Sequence, residues 1–168
     1  MKAVIIFESK TGNTEKIARA VRDGFISGSG EVIYFGGGES IPEADIYFVG
    51  SWTDKGSCSK AGAEALSKLE GKEVCYFGTA GFGGDRAYYD KIASRVAEAL
   101  GENSKLKSYF ICQGKMPMAV RDRYVKMITE NPEDKRLEVS IANFDEALSH
   151  PDENDLKNAF EWGKSLAK

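Results

Sequence analysis

Five short apolar runs without polar alternation, separated by segments of helical period, constrain this chain more than any other feature. The runs are Ala3-Val4-Ile5-Ile6-Phe7, Val32 to Phe35, Ile46 to Val49, Val74 to Phe77 and Tyr109-Phe110-Ile111-Cys112. A strand that is apolar at every position is covered on both faces, which parallel sheets require and one-sided antiparallel sheets do not. Between the runs, Ile17, Ala18, Val21 and Phe25 recur at helical spacing, as do Ile92, Val96, Ala99 and Leu100, and a small-residue helix covers Ala61 to Leu69. Two further helical patterns lie near Met118 to Ile128 and Leu156 to Leu166. Strands alternating with helices imply right-handed crossovers, so the expected fold is a three-layer α/β sandwich with a five-stranded parallel sheet. No composition shift or repeat divides residues 1–168, which read as one domain. The polar stretch from Asn131 to Ser149 lacks period and reads as a long surface loop, with Leu137, Val139 and Ile141 as candidates for a short added strand.

Composition narrows the function. The chain carries 23 basic and 26 acidic residues, a formal net charge of -3, which does not suit nucleic-acid binding. The longest N-terminal apolar run is too short for a leader or a membrane span. Cys58, Cys75 and Cys112 are odd in number and form no close pair, so neither a disulfide framework nor a zinc site is expected, and a reducing cytoplasm is the natural setting. Glycine is in excess: 18 of 168 residues, about 11% against a usual roughly 7%. Several glycines directly follow apolar runs, where backbone must turn sharply or approach a ligand.

In an open parallel sheet, ligands bind beyond the carboxyl ends of the strands, near the switch in strand order. The first strand runs into Glu8-Ser9-Lys10-Thr11-Gly12-Asn13-Thr14, with a helix beginning at Glu15 or Lys16. The first amides of a helix lack internal partners and carry partial positive charge, so this turn suits an anion. Ser9, Thr11 and Thr14 add hydroxyls, and Gly12 lets backbone amides face inward. The segment has neither the frame of a Walker loop nor Gly-x-Gly-x-x-Gly. It therefore suits a terminal phosphate held without a metal, although a capped strand-to-helix turn without any ligand has the same composition.

Ser9-x-Thr11-Gly12-Asn13-Thr14 after an N-terminal apolar strand resembles the phosphate loop of flavodoxins. The resemblance extends from Lys2 through the fifth strand and over the last helix, and it implies a doubly wound sheet of strand order 2-1-3-4-5 and FMN as cofactor. Gly50-Ser51-Trp52-Thr53-Asp54-Lys55-Gly56, Cys112-Gln113-Gly114-Lys115-Met116 and His150-Pro151-Asp152-Glu153 resemble a branch of small flavodoxin-domain proteins that accompany bilin-reducing enzymes. By this resemblance Ser9, Lys10, Thr11, Gly12, Asn13 and Thr14 hold the phosphate. Ser51, Trp52, Thr53, Asp54, Lys55 and Gly56, with Thr79, Ala80, Gly81, Phe82, Gly83 and Gly84, hold the flavin ring. Trp52 and Phe82 are the candidate apolar walls, while Tyr88 and Tyr89, on a helix face, read as packing.

Two departures from the family pattern matter. Acidic residues surround the ring in typical flavodoxins, whereas this chain is only mildly acidic and carries Lys55 in the ring loop, where a cation favours reduction. The segment Met116 to Ser149 is longer than the brief link of short flavodoxins, and its start, beside Cys112 and Gly114, lies next to the ring edge. Several residues have plainer readings. His150 begins the last helix, Asp85 caps a helix, Trp162 and Cys75 are core, and Cys112 is a packed thiol rather than a redox group. Arg121, Arg123 and Lys126 form a basic face that is either solvated or meets an acidic redox partner. The expected function is a monomeric (alternatively dimeric) cytoplasmic electron carrier between a reductase and an acceptor enzyme, a bilin or other reductase. An NAD(P)H-dependent FMN reductase acting on quinones, and a flavin-free binding module on the same fold, are the alternatives.

Overall fold

A computed structural model describes residues 1–168. In chain order the elements are β1 (Lys2–Phe7), α1 (Asn13–Ser27), β2 (Glu31–Gly36), β3 (Ile46–Asp54), β4 (Ser57–Cys58), α2 (Lys60–Ser67), β5 (Glu73–Ala80), α3 (Arg86–Ala97), β6 (Lys105–Gln113), α4 (Met118–Glu130), α5 (Lys135–Ala147) and α6 (Glu153–Ser165). The long strands pair in parallel in the order β2-β1-β3-β5-β6. This is the expected 2-1-3-4-5 order once the two-residue β4, antiparallel to the end of β3, is counted. No helix is long and apolar enough to cross a membrane.

Period-two geometry sends alternate residues of each strand to opposite layers. On one face Val4, Ile6, Tyr47, Val49, Val74 and Tyr76 pack with Leu66 of α2 and Ile92 and Val96 of α3. On the other, Ala3, Ile5, Phe48, Cys75 and Phe77 pack with Ile17, Val21 and Phe25 of α1 and Ala159 of α6. Both layers exclude water, which is why the strands show no polar alternation. The helices α1 and α6 pack backbone against backbone. A Cβ at Gly24 would lie 2.0 Å from the Phe160 carbonyl oxygen, and one at Gly163 would lie 2.4 Å from that of Val21.

The structure corrects the reading at several boundaries. Strand β3 continues past Gly50, so Ser51 to Asp54 are strand, because Ser51 and Trp52 pair with Gly78 and Thr79 and Thr53 pairs with Cys58. Its turn is Lys55-Gly56, both at positive φ (48° and 79°), the geometry of a tight hairpin. Thr79 and Ala80 likewise belong to β5. Helix α1 begins at Asn13, ahead of the expected Glu15 or Lys16. Helix α6 begins at Glu153 with Asp152 as its cap, so Pro151 precedes the helix.

The largest correction is α5, where a loop or short strand was expected. Leu137, Val139 and Ile141 do alternate, but Leu137, Ile141 and Phe144 also share one helical face, and this second spacing governs. Leu137, Phe144 and Ala147 are buried and Val139 is 64% exposed. Asp134 starts the helix by accepting a hydrogen bond from the Arg136 amide at 3.0 Å. Helix α4, which buries no residue, is tied to α5 by a two-pronged ion pair in which Arg121 donates to Asp145 at 2.7 and 3.2 Å.

Asn143 of α5 clamps the loop after β5. Its Nδ2 donates to the Gly81 carbonyl at 2.9 Å, and its Oδ1 accepts from Gln113 Nε2 at 3.1 Å. Asn143→Ala leaves these groups without their partner, at a cost of about 1–3 kcal/mol. Hydrogen exchange of residues 81–84 in that variant is expected to accelerate; unchanged protection contradicts the clamp. Gly163→Ala forces α1 and α6 apart and is expected to lower stability by ~1–3 kcal/mol despite its better helix propensity. Denaturant unfolding measures this directly.

Candidate functional site

The carboxyl ends of β1, β3, β5 and β6 meet at one edge, and four connections converge there. The connection after β1 is folded by its own side chains. Ser9 Oγ accepts from the amides of Gly12 and Glu15 at 3.1 and 3.2 Å. Gly12 has φ of 87°, a left-handed conformation costly to any residue with a Cβ, in otherwise open space. Gly12, the N-cap residue, has no side chain to offer α1, and the amides of Asn13 and Thr14 have no hydrogen-bond partner. Thr14 Oγ1 meets Thr79 Oγ1 at 3.2 Å, tying the turn to β5. Asn13 is buried and its Nδ2 donates to the Lys115 carbonyl at 2.9 Å, while its Oδ1 is buried without a partner.

These residues form one end of a cleft of about 230 Å³ lined by Lys10, Thr11, Asn13 and Thr14, by Trp52 and Thr53, by Thr79, Ala80 and Gly81, and by Gly114 to Pro117. Trp52 Nε1 and Thr53 Oγ1 are also buried without partners. Buried polar groups are normally satisfied, so three orphans around one cleft mark a place built for a polar ligand. The lining contains two lysines, Lys10 and Lys115, and no carboxylate. With the free amides at the start of α1, the cleft suits an anion. Lys10 Nζ lies 4.3 Å from the centroid of the Trp52 ring.

Of the residues expected to bind, Lys10, Thr11, Asn13, Thr14, Trp52, Thr53, Thr79, Ala80 and Gly81 line this cleft. Ser9 and Gly12 shape its turn. Ser51 lies elsewhere, fully buried, where its hydroxyl donates to the Trp52 carbonyl and accepts from the Ser59 amide at 3.1 Å, bracing the start of α2. Asp54, Lys55 and Gly56 form the hairpin at the end of β3, where Arg95 reaches the Lys55 carbonyl at 3.4 Å. The cations in the cleft are thus Lys10 and Lys115 rather than Lys55. Phe82 is 39% exposed and borders a shallow groove with Lys135, Arg136 and Val139. Gly83 donates to Asn143, and Gly84 leads to Asp85, which caps α3 by accepting from the Ala87 amide at 2.8 Å.

The wall from Gly114 to Pro117 was not among the expected binding residues, although the start of the long segment was placed beside the ring edge. Its signal was the recurring pattern of a glycine just after an apolar strand. Met116 lies so close over Gly81 that a Cβ there would come within 2.4 Å of its sulfur. The Lys115 amide donates to the His150 carbonyl at 2.9 Å, so the connection before α6 supports this wall. His150 Nδ1 lies 2.6 Å from Asp155 Oδ2, and Asp152 and Asp155 cap α6 reciprocally. That capping accounts for the clustering of the three groups.

The three thiols are buried and unpaired. Burial pushes Cys75 up to about 12. Burial also raises Cys112, and the carboxylates of Asp155 and Asp152 add to the effect. A thiol held protonated is a poor nucleophile and redox group, as the packed reading of Cys112 expects. Tyr88 and Tyr89 pack against the core, and burial pushes the Tyr89 hydroxyl up to about 12. A wider groove of about 560 Å³ runs between α3 and β6, but it is edged by the Arg86–Asp90 ion pair along α3 and contains none of the orphaned groups.

The flavodoxin domain model matches residues 4–162. The flavodoxin-like domain-containing protein BilS of Clostridium symbiosum (strain WAL-14163) is 41% identical over 178 aligned positions, covering 93% of this chain and 90% of that protein. The BilS protein of Clostridioides difficile (strain CD3) is 29% identical over 171 positions, covering 99% and 96%. Among solved structures, a flavodoxin of Streptococcus pneumonia TIGR4 superposes with a TM-score of 0.56 at 22% identity, covering 99% of this chain and 98% of that one. The rubredoxin oxygen:oxidoreductase of Desulfovibrio gigas gives a TM-score of 0.60 at 18% identity, with 99% of this chain matched to 35% of the larger one. These structural likenesses bear on the fold, while the domain match across nearly the whole length bears on descent: the chain belongs to the flavodoxin-domain family.

Proposed function

We propose that the protein binds FMN in this cleft and carries electrons from a reductase to an acceptor enzyme, with a bilin-reducing enzyme as the acceptor. The observation that carries the reading is the pair of unpartnered amides at Asn13 and Thr14, opening onto a cleft whose far wall is Trp52. Thr11, Thr14 and the two amides are the donors for a phosphate, and no metal is needed. Trp52 offers a flat apolar face for the ring. Thr53 Oγ1, Trp52 Nε1 and Asn13 Oδ1 are free to meet polar groups of the cofactor. Bound there, FMN supplies the one- and two-electron chemistry, and the chain supplies orientation and electrostatics.

Electrostatics follows from the lining. With two ammonium groups and no carboxylate in the cleft, added negative charge is favoured at the ring, opposite to the effect of an acidic surround. Met116 and Pro117 line one side of the cleft and add apolar surface there. The resemblance to the bilin-associated branch, and the likeness to BilS proteins, support the choice of acceptor.

Titration of the purified apoprotein with FMN, followed by quenching of flavin fluorescence, is expected to saturate at equimolar cofactor; failure to saturate overturns the reading. Trp52→Ala is expected to weaken binding by about tenfold through loss of the stacking face. A carrier so loaded oxidises NAD(P)H only when a reductase is added. Steady oxidation with a quinone and no second protein identifies an FMN reductase instead.

A further inference from the structure

Phe82 is an aromatic side chain that the fold holds in water. The residues on either side of it are both fixed from behind. The Gly81 carbonyl accepts from Asn143 Nδ2 at 2.9 Å and from Gln113 Nε2 at 3.3 Å, and the Gly83 amide donates to Asn143 Oδ1 at 3.4 Å. Pinned at both ends, the loop keeps Phe82 outward, 39% exposed, although burial of such a side chain is ordinarily favourable. Val139, one helical turn before Asn143 on α5, is 64% exposed and lines the same groove. One exposed apolar residue is ordinary, but an aromatic and an aliphatic side chain sharing a groove form the kind of anchor on which protein partners seat.

Position and charge say what occupies it. Gly81 lines the cleft and Phe82, the next residue, lines the groove, so a molecule seated on Phe82 stands beside whatever the cleft holds. The charged residues lining the groove are Lys135 and Arg136, those lining the cleft are Lys10 and Lys115, and no carboxylate lines either. Arg136 is engaged by Asp134, the cap of α5, whereas Lys135 makes no ion pair. Glu133 and Glu138 belong to the same stretch but do not line the groove. A second copy is a poor occupant, because a two-fold pairing here sets Lys135 and Arg136 close to their own copies. Five residues line the groove, far short of the roughly 20–30 a side in a stable interface, and small contacts of this kind suit transient redox encounters. We propose that the acceptor enzyme docks in the groove between Phe82 and Val139, meeting it with an apolar side chain flanked by carboxylates. The inference rests on the electron-carrier reading above and adds to it the face and the chemistry of the partner. It also moves the basic contact from α4 to α5, since Arg121 is spent on Asp145 and neither Arg123 nor Lys126 lines the groove.

The test measures the dissociation constant between the FMN-loaded protein and a purified bilin-reducing enzyme, by biolayer interferometry at low and at physiological ionic strength. Phe82→Ala is expected to weaken association about tenfold, the loss typical of an aromatic anchor. Lys135→Glu and Val139→Asp are each expected to weaken it about fivefold by setting a carboxylate against carboxylates, with FMN affinity as in the wild type. Lys135→Arg keeps the charge and is expected to keep the association. Wild-type association is expected to weaken as salt rises, and that of Lys135→Glu to change less. Reversal of the α4 cations, Arg123→Glu with Lys126→Glu, is expected to leave it within about twofold. Groove variants that bind as the wild type, a larger loss from the α4 pair, or tighter binding by Lys135→Glu overturns the assignment. So does a wild-type dimer that Phe82→Ala converts to a monomer, which gives the groove to a second copy. A wild-type protein that takes up FMN but does not associate with the enzyme overturns the docking proposal and leaves the flavin reading standing. One that takes up no FMN overturns that reading itself.

Discussion

Parallel pairing of strands buried on both faces is the constraint from which the rest of this molecule follows. Residues from Ala3 to Ile6 meet Ile46 to Val49 on one side and β2 on the other, with helices above and below. Parallel neighbours require each chain segment to cross back through a helix before pairing again. Every carboxyl end is thereby delivered to the same edge, and the turns after β1, β3, β5 and β6 become neighbours though up to about a hundred residues apart in sequence. The hydrogen bond from Asn13 to Lys115 spans 102 positions and is a direct product of that arrangement.

Within that frame the anion-suited end of the cleft depends on small side chains acting locally. Ser9 occupies the Gly12 and Glu15 amides, which leaves those of Asn13 and Thr14 free. Gly12 takes the left-handed backbone by which the turn enters α1, and as N-cap it brings no side chain to cover those two amides. The Thr14–Thr79 contact then fixes this turn against β5, so the donors and the far wall keep one spacing. Farther along α1, glycines at its crossing with α6 allow the two helices to meet at backbone distance, which seats the helix whose first turn carries those donors.

The long segment after β6 departs from a minimal version of the fold, and its role is support as well as cover. Its second helix sends Asn143 to the Gly81 carbonyl and to Gln113, and its first residues, Lys115 to Pro117, form a wall of the cleft. Outside, Phe82 and Val139 lie exposed beside Lys135 and Arg136. A segment that read as a polar loop thus holds the loop after β5 in place from behind.

The strands and the character of the β1 turn were legible in the sequence because each rests on local rules: unbroken apolar runs for doubly covered strands, Ser-x-Thr-Gly-Asn-Thr for a helix start with free amides; the strand order came from the family resemblance alone. Helix α5 was not legible, since Leu137, Val139 and Ile141 satisfy a two-residue period as well as Leu137, Ile141 and Phe144 satisfy a helical one. Only the surface that Leu137, Phe144 and Ala147 bury against decides between them. The same holds for Ser51 and Lys55, which share a loop-like stretch with Trp52 and Thr53 yet stay out of the cleft, because the Ser51 hydroxyl is taken up by the Trp52 carbonyl and the Ser59 amide and Lys55 forms the hairpin turn beyond the strand. Composition determined that a glycine- and hydroxyl-rich edge would exist. Which side chains face into it, and that Lys10 rests on Trp52 there, was decided by long-range packing that no local pattern encodes.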